Sequence, residues 1–359
     1  MAATAPLNGN ARTPVNVYAA APENGNAAAP VTVCVTGAAG FMASWLVKLL
    51  LEKGYIVHAT ARDPENKAKV AHLLSLPGAD QRLKLFKAEL SEDGSFDAAI
   101  AGCDGVFHVA TPTEFAPKDP QKDLIDPAID GTLNVLKACS KAKTVKRVVV
   151  TSSAASVSIN DSPEQNQYID ESCWTDVDFL QTQKPPAWAY PVSKTLAEQA
   201  AWQYVKEHDL DMVTIIPVLV VGPSITPTVP SSCQLALCLL TGIPPFIGGL
   251  KGMQMVSGSV SLVHVDDVCS AQIFLMENPN TQGRYICCPI NTSVPQLGEY
   301  LAKRYPQYNV PTKIEDVPST PKVNISSKKL VESGFTFQYG IDEIYDHTVE
   351  YFKTKGLLA

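Results

Sequence analysis

Two residues whose types and spacing could support acid–base chemistry are Tyr190 and Lys194, a phenol and an ammonium four positions apart. On a helix this spacing places both side chains on one face. An ammonium beside a phenol favours the phenolate, so Lys194 is expected to lower the pKa of Tyr190 from about 10 toward a value useful in proton transfer. Tyr351 and Lys355 repeat the spacing near the C-terminus, where we expect only a solvated amphipathic helix.

The neighbours of Tyr190 and Lys194 in the sequence distinguish this pair from the later one. Residues 147–153 predict a strand that ends in hydroxyl side chains, and Ser153 could donate a hydrogen bond to a substrate oxygen. The next predicted strand ends at Pro217, where a rigid turn without an amide proton could pack against a bound ring. These features together indicate a site at one edge of a sheet.

A turn with two glycines follows the first apolar segment and could bind a phosphate. The β-branched residues of 31–35 predict a strand buried on both faces, and an apolar helix is predicted from Phe41. Gly37 allows a sharp bend, Gly40 allows a phosphate to approach, and Ala43 allows the helix to pack close to the strand. Because the first amides of a helix lack internal partners, this helix start is expected to bind a dinucleotide pyrophosphate.

The segment 54–64 predicts a second strand that runs into a turn, where such a fold selects between NADPH and NADH. Arg62 would bind a 2′-phosphate, and Asp63 would bind a free 2′-hydroxyl. Asp63 precedes a proline and is typical of a turn, whereas Arg62 and Lys69 form a cationic pair suited to a dianionic phosphate. The pattern favours NADPH, and the alternative is that both cations are only solvated surface charges.

Strands and helices alternate over the first two thirds of the chain, which predicts an α/β fold with a doubly wound parallel sheet of the Rossmann type. Glu89, at the end of the third predicted strand, is placed to accept a hydrogen bond from an adenine amino group. Ligands of such sheets bind beyond the carboxyl ends of the strands. Further strands are predicted over 83–90, 104–111 and 211–217, and helices over 127–142 and 190–208.

The chain is predicted to have three regions. Residues 1–30, rich in Ala, Pro and Asn, predict a disordered leader, and residues 31–217 predict the nucleotide-binding domain. Residues 218–359 predict mainly a substrate-binding region, a smaller lid, with some chain returning to the nucleotide-binding core. Glycines and prolines between 222 and 249 predict a loop-rich segment.

Beyond this segment the sequence predicts a short strand from Ser261 that runs into a helix with Asp266 as its N-cap. His264 could be catalytic, but we interpret it as a half-buried strand histidine with a satisfied hydrogen bond. A further strand is predicted over 283–288, and helices over 294–304, 326–333 and 341–355.

Composition excludes several classes of function. A net charge of −7 over 359 residues argues against nucleic acid as the main partner, because phosphate-binding surfaces normally carry a basic excess. No apolar run reaches the roughly 18 residues of a membrane span. The nine cysteines are scattered without a Cys-x-x-Cys pair, which is typical of small buried residues in a reduced compartment. With six histidines that show no metal spacing, these features predict a cytoplasmic protein without a metal.

Five segments carry a family resemblance: 36–43 (TGAAGFMA), 106–112 (VFHVATP), 151–154 (TSSA), 190–198 (YPVSKTLAE) and 216–223 (IPVLVVGP). Together they resemble the extended short-chain dehydrogenases, and more narrowly the plant branch of dihydroflavonol 4-reductases, cinnamoyl-CoA reductases and anthocyanidin reductases. The likeness covers about residues 30–359. It implies Ser153, Tyr190 and Lys194 as catalytic residues. It also implies an NADPH site made of Gly37, Gly40, Phe41, Met42, Arg62, Lys69, Glu89, Leu90, Val109, Ala110, Thr111, Thr151, Ser152, Tyr190, Lys194, Pro217, Val220 and Ser232.

Within this branch the C-terminal segments are similar to those of anthocyanidin reductases, namely residues 252–261, 283–288, 303–308 and 339–346. Ser158 stands where dihydroflavonol reductases place an Asn five residues after the catalytic Ser. Residues 187–191 (AWAYP) replace the Asn-Trp-Tyr-Cys-Tyr sequence of cinnamoyl-CoA reductases. Glu89 departs from the usual Asp of the branch but keeps a carboxylate, so the adenine contact is expected to survive.

The resemblance implies NADPH-dependent reduction of an anthocyanidin such as cyanidin to a flavan-3-ol such as epicatechin, which formally takes two hydrides. The substrate is not a simple ketone, so Tyr190 and Ser153 are expected to handle protons on ring hydroxyls and to orient the substrate. A dihydroflavonol 4-reductase is the alternative, and a non-catalytic NADPH-sensing protein is a remote one. The expected partner is a flavonoid, with a loose association with other flavonoid enzymes. Substrate contacts are expected from Thr113, Ser153, Ser158, Trp188 and Tyr190, although aromatic residues there could equally form lid core.

Overall fold

The computed structural model of the chain describes residues 31–112, 117–161 and 167–359. The predicted leader and the predicted substrate residue Thr113 lie outside this described part. The strands are β1 (Thr32–Val35), β2 (Ile56–Ala61), β3 (Leu83–Lys87), β4 (Gly105–His108), β5 (Arg147–Thr151), β6 (Gln167–Ile169), β7 (Met212–Pro217), β8 (Leu219–Val221), β9 (Val260–His264), β10 (Gly283–Cys287), β11 (Ile290–Thr292) and β12 (Val323–Ile325).

Helices follow most strands. They are α1 (Phe41–Glu52), α2 (Lys67–Leu74), α3 (Ala79–Arg82), α4 (Asp97–Ile100), α5 (Asp126–Ala142), α6 (Val177–Gln183), α7 (Ala189–His208), α8 (Ser231–Ala236), α9 (Cys238–Thr241), α10 (Pro244–Ser257), α11 (Val265–Glu277), α12 (Val294–Arg304), α13 (Lys328–Glu332) and α14 (Ile341–Thr354). A π-helical turn, Gln121–Ile125, leads into α5, and 3₁₀ turns lie at Ala154–Ser156 and Pro306–Tyr308. Within the described ranges no helix has the length and apolarity to cross a membrane.

The central sheet has the order β10-β7-β5-β4-β1-β2-β3 among the described residues, and each neighbouring pair is parallel. The chain runs outward from β1 in one direction and then returns to build the sheet in the other, which places the switch point between β1 and β4. This arrangement confirms the predicted doubly wound parallel sheet.

Alternate residues of the sheet pack on its two faces because side chains of a strand point to opposite sides. Val149 belongs to the core that α1 and α11 share, whereas Val148 and Val150 belong to the core that includes α5 and α7 residues. Every residue of β4, β5 and β7 is buried, as expected for strands covered by helices on both faces.

The C-terminal part of the chain forms a second sheet and a second core. Among the described residues, β9 pairs with β8 in parallel and with β11 in antiparallel fashion, and Leu262, Leu297 and Tyr345 lie in the adjoining core. Strand β10 returns to the central sheet beside β7. The proposed division into domains at residue 217 stays a prediction.

Three local predictions are wrong. The loop-rich segment contains α8, α9 and the first part of α10, and α10 begins with two prolines, which fit a first helical turn because its amides lack partners. The N-cap of α11 is His264 rather than Asp266, and its Nδ1 accepts a hydrogen bond from the Asp266 amide at 3.1 Å. Tyr351 is only 7% exposed and packs in the C-terminal core, so α14 is not simply a solvated helix.

Candidate active site

The parallel strands bring most of the predicted site residues to one edge of the central sheet. The turn at Gly37 follows β1, Arg62 follows β2, Val109 follows β4, and Pro217 ends β7. Because the carboxyl ends of parallel strands share an edge, residues far apart in sequence come together there.

The turn between β1 and α1 fits the pyrophosphate of a dinucleotide. Gly37 has a φ of +66°, and a Cβ on it would lie 3.0 Å from the Cα and Cβ of Ala110. Gly40 is the N-cap of α1 without a side-chain cap, and the first turn of the helix contains no acidic residue. The positive end of α1 is therefore left uncompensated by its own cap and first turn, which suits an anionic group.

A buried cluster fixes the end of β4 next to this turn. The Thr36 hydroxyl oxygen accepts hydrogen bonds from the amides of Val109 (3.1 Å) and Ala110 (3.0 Å). The same hydroxyl lies 3.0 Å from Nδ1 of His108, whose Nε2 lies 3.2 Å from the Thr132 hydroxyl. Burial, with the Lys194 charge as a second cause, lowers the pKa of His108 to about 3, so this ring is neutral.

The residues predicted to select the nucleotide lie beyond β2 and β3. Arg62 is exposed directly after β2, and Lys69 is exposed in the first turn of α2. The Asn66 amide donates to the Asp63 carbonyl at 3.3 Å, which is consistent with Asp63 as a turn residue. Glu89 is half-buried, and its backbone amide and carbonyl both bond to the Ser95 hydroxyl, at 3.1 and 2.7 Å.

The structure brings together Ser153, Tyr190 and Lys194. Lys194 is 7% exposed, and its Nζ donates to the carbonyl of Thr151 at 2.8 Å. Burial raises the pKa of Tyr190, and a hydrogen bond with Ser153 lowers it by less. The expected net lowering of the Tyr190 pKa is therefore wrong for this structure, because burial dominates. Burial lowers the pKa of Lys194 to about 8, against the negative charge of Glu198, which raises it.

The other predicted nucleotide residues come from several different elements. Phe41 and Met42 begin α1, and the Met42 sulfur accepts a hydrogen bond from Gln272 at 3.4 Å. Leu90 lies in the loop after β3, and its carbonyl accepts from the Asn134 side chain at 3.0 Å. Three further residues are Thr111 after β4, Val220 in β8 and Ser232 in α8.

Two predicted substrate residues in the described part lie in different settings. Ser158 is 3% exposed, and its amide donates to the Ala154 carbonyl at 3.1 Å. Trp188 is half-buried at the start of α7 and packs against a hydrophobic cluster that includes Ile159 and Leu180. Their contact with a substrate stays a prediction.

Two charged residues next to the site were not anticipated from the sequence. Glu198 and Arg284 form an ion pair with 2.8 Å between Oε1 and Nε, and they are 2% and 8% exposed. The signal for Glu198 was present, because it follows Lys194 by four residues on the same helix. Arg284 comes from β10, ninety residues from Lys194, and only the sheet order shows their proximity.

Comparison of the chain with known proteins shows the family to which it belongs. The model of the NAD dependent epimerase/dehydratase family matches residues 33–288. A Ginkgo biloba protein provisionally assigned as an anthocyanidin reductase is 76% identical over 91% of this chain and 96% of its own length. The (2S)-flavan-3-ol-forming anthocyanidin reductase of Vitis vinifera is 58% identical over the same shares. The dihydroflavonol 4-reductase of Gerbera hybrida is 48% identical over 91% of this chain and 87% of its own length.

Two of the solved structures that superpose on this chain are also reductases. Vestitone reductase from alfalfa superposes with a TM-score of 0.76 at 40% identity, over 91% of this chain and 99% of its own. The yeast methylglyoxal/isovaleraldehyde reductase Gre2, crystallised with NADPH, has a TM-score of 0.76 at 26% identity, over 91% of this chain and 100% of its own. The predicted fold, family and class of NADPH-dependent oxidoreductase are thereby confirmed. The chain belongs to the NAD dependent epimerase/dehydratase family and, within it, to the group of plant anthocyanidin reductases.

Proposed function

We propose that this chain reduces anthocyanidins to flavan-3-ols with NADPH. The observation that carries the proposal is the juxtaposition of Ser153, Tyr190 and Lys194 beside the glycine turn, in a chain that matches anthocyanidin reductases over nearly their whole length. The alternative is reduction of a dihydroflavonol ketone. The dihydroflavonol 4-reductase that supports it is a more distant relative of the chain, at 48% identity.

The residues present fit NADPH. The uncapped start of α1 would hold the pyrophosphate, and Arg62 with Lys69 would hold the 2′-phosphate. Lys194 would bind the nicotinamide ribose, and Pro217 would pack against the ring. When bound, NADPH supplies hydride at its nicotinamide ring.

The side chains manage protons and orientation. Conversion of a flavylium cation to a flavan-3-ol takes up two hydrides and one proton. Burial keeps Tyr190 as a neutral phenol, which suits it to donate a proton to a ring oxygen, and Ser153 would fix that oxygen by a hydrogen bond. Lys194 would hold the ribose and stabilise the phenolate that remains after proton transfer.

The region around Trp188 and Ser158 is proposed to receive the flavonoid, together with the lid that residues 218–359 mainly form. Trp188 offers an aromatic face at the start of the helix that carries Tyr190. Planar polyphenols stack on such faces.

All nine cysteines are unpaired, which supports the proposed cytoplasmic location. A loose association with other flavonoid enzymes stays a prediction.

The test is incubation of the purified chain with NADPH and either cyanidin or dihydroquercetin, followed at the nicotinamide absorbance with product analysis. We expect oxidation of NADPH with cyanidin and formation of a flavan-3-ol, and weaker turnover when NADH replaces NADPH. Oxidation with dihydroquercetin alone would establish the alternative function. Oxidation with neither would contradict both.

A further inference from the structure

A buried ion pair lies directly behind the proposed catalytic residues. Nε of Arg284 lies 2.8 Å from Oε1 of Glu198, and Nη2 lies 3.3 Å from Oε2. Both side chains are almost fully buried. Such a pair adds little net stability because desolvation offsets its attraction. Its contacts with neighbouring groups therefore indicate what it does.

The Glu198 carboxylate holds the chain on both sides of Ser153. Oε2 accepts hydrogen bonds from the hydroxyls of Ser152 (2.5 Å) and Ser156 (2.9 Å). Ser152 immediately precedes Ser153, and Ser156 ends the 3₁₀ turn that Ser153 caps. Oε1 accepts from the Thr214 hydroxyl of β7 at 3.0 Å. One carboxylate thus fixes the end of β5 where the proposed catalytic serine lies.

The same carboxylate acts electrostatically on Lys194, one helical turn earlier in α7. Lys194 is buried, and the neighbouring His108 is neutral and adds no like charge beside it. Burial lowers the pKa of Lys194, and Glu198 raises it. The carboxylate thereby opposes the loss of the ammonium proton.

Arg284 keeps Glu198 charged and also contacts the segment 171–174. Burial raises the pKa of Glu198, but Arg284 and the serine hydroxyls outweigh it and hold that pKa below its usual range. Nη1 of Arg284 also donates to the carbonyls of Glu171 (2.8 Å) and Cys173 (2.7 Å), and its Cζ lies 3.6 Å from the Trp174 ring centre.

We propose that Glu198, held by Arg284, is a positioning residue that keeps Lys194 protonated and fixes the strand end carrying Ser153. The proposal rests on the proposed function, in which Ser153, Tyr190 and Lys194 do the chemistry. Among the described residues, the charged or titratable groups nearest this part of α7 are Tyr190 and Glu198 on the helix itself, His108 at the end of β4, whose pKa the Lys194 charge lowers, and Arg284 of β10, which pairs with Glu198.

The test is the substitution Glu198→Gln, which removes the charge and keeps the shape. The titration of the Lys194 ammonium is followed by NMR of protein labelled with ¹³C-lysine, and the signal is assigned by its loss in Lys194→Arg. Without the carboxylate, the Lys194 pKa should fall by about one unit. Because the ammonium is the active form, the alkaline limb of kcat should move to lower pH by a similar amount, whereas Glu198→Asp should restore it.

Two further variants act as controls. Asp211→Asn removes a carboxylate that also pairs with a buried arginine, Arg147, at 2.8 Å but at the opposite end of the sheet, and should leave the Lys194 titration unchanged. Thr214→Val removes a hydrogen bond to Glu198 without removing charge, and should likewise leave it unchanged.

If Glu198→Gln does not fold, the double variant Glu198→Gln, Arg284→Gln leaves no unpaired buried charge, and its Lys194 titration is compared with that of Arg284→Gln, which differs from it only at residue 198. A Lys194 titration equal to that of the unsubstituted chain would overturn the proposal, even if the rate falls. The titration needs no substrate, so it decides this proposal whatever the activity assay shows. A chain that reduces no anthocyanidin would refute the proposed function alone.

Discussion

Burial sets the protonation of the proposed catalytic side chains. It raises the pKa of Tyr190 and lowers that of Lys194, so each group is moved toward its neutral form. The four-residue spacing predicts that Tyr190 and Lys194 lie on one face of a helix, but spacing does not show how deeply either side chain is buried. The predicted direction of the Tyr190 shift failed for that reason.

Replacement of Tyr190 by Phe should lower kcat by about 10²–10⁴-fold, because the proposed proton donor is lost while the ring remains. The measurement is steady-state reduction of cyanidin, with NADPH binding followed separately by fluorescence. Tyr204→Phe serves as a matched control on the same helix, since the Tyr204 hydroxyl donates a hydrogen bond to the Ser140 hydroxyl of α5, at 3.2 Å. An unchanged kcat in Tyr190→Phe would remove the phenol from the mechanism.

At the scale of single elements, α12 occupies the predicted residues 294–304 because Ser293 and Gln296 form a capping box at its start. The glycines and prolines of the segment 222–249 predict loops there. The helices form there because buried residues such as Leu239 and Leu250 pack in the C-terminal core, a tertiary effect that outweighs local propensity.

Two glycine-to-alanine substitutions should have opposite effects on stability. Gly37→Ala should lower the free energy of unfolding by about 1–3 kcal/mol, because its φ is +66° and the new Cβ would crowd Ala110. Gly252→Ala should raise it by about 0.5–1 kcal/mol, because this position is inside α10 with no atom within 4 Å of the new Cβ. Denaturant unfolding of both variants measures the difference. Equal effects of the two substitutions would contradict the assigned turn conformation.

At the scale of the whole molecule, buried titratable groups couple the fold to pH. Burial lowers the pKa of His108 and of His264 to about 3, so each stabilises the fold above about pH 6.5 and loses that contribution as the pH falls. Burial raises the pKa of Asp267 to about 7, although the amides of Gln338 and Tyr339 bond to it. Its contribution therefore has the opposite sign, being present at low pH and lost as the pH rises through 7.

Asp267→Asn should make the free energy of unfolding rise more steeply with pH between about 5 and 6.5. The unsubstituted chain releases about one proton from Asp267 on unfolding in this window, which reduces the slope by about 1.4 kcal/mol per pH unit. Urea unfolding at several pH values gives both slopes. Ser293→Ala, which removes a helix cap, should lower the whole curve by about 0.5–2 kcal/mol with its slope unchanged. Parallel curves for Asp267→Asn and the unsubstituted chain would refute the assigned burial of this carboxyl.

The sequence by itself determined the alternation of strands and helices, the glycine turn, the phenol–ammonium pair and the strand end at Ser153. These features depend on local spacing, because helical and extended periodicities fix which side chains share a face. It also determined the family, through five short segments, of which four lie at the ends of strands β1, β4, β5 and β7 and one on α7.

Only the tertiary structure decided which distant residues lie behind that pair. Arg284 meets Glu198 because β10 returns to the sheet beside β7, and Thr36 meets His108 because β4 pairs with β1. Desolvation, which reverses the expected pKa shift of Tyr190, likewise depends on the packing of the whole chain around it. Such long-range contacts produce no periodic pattern in the sequence, because the order of strands in the sheet decides which distant residues meet.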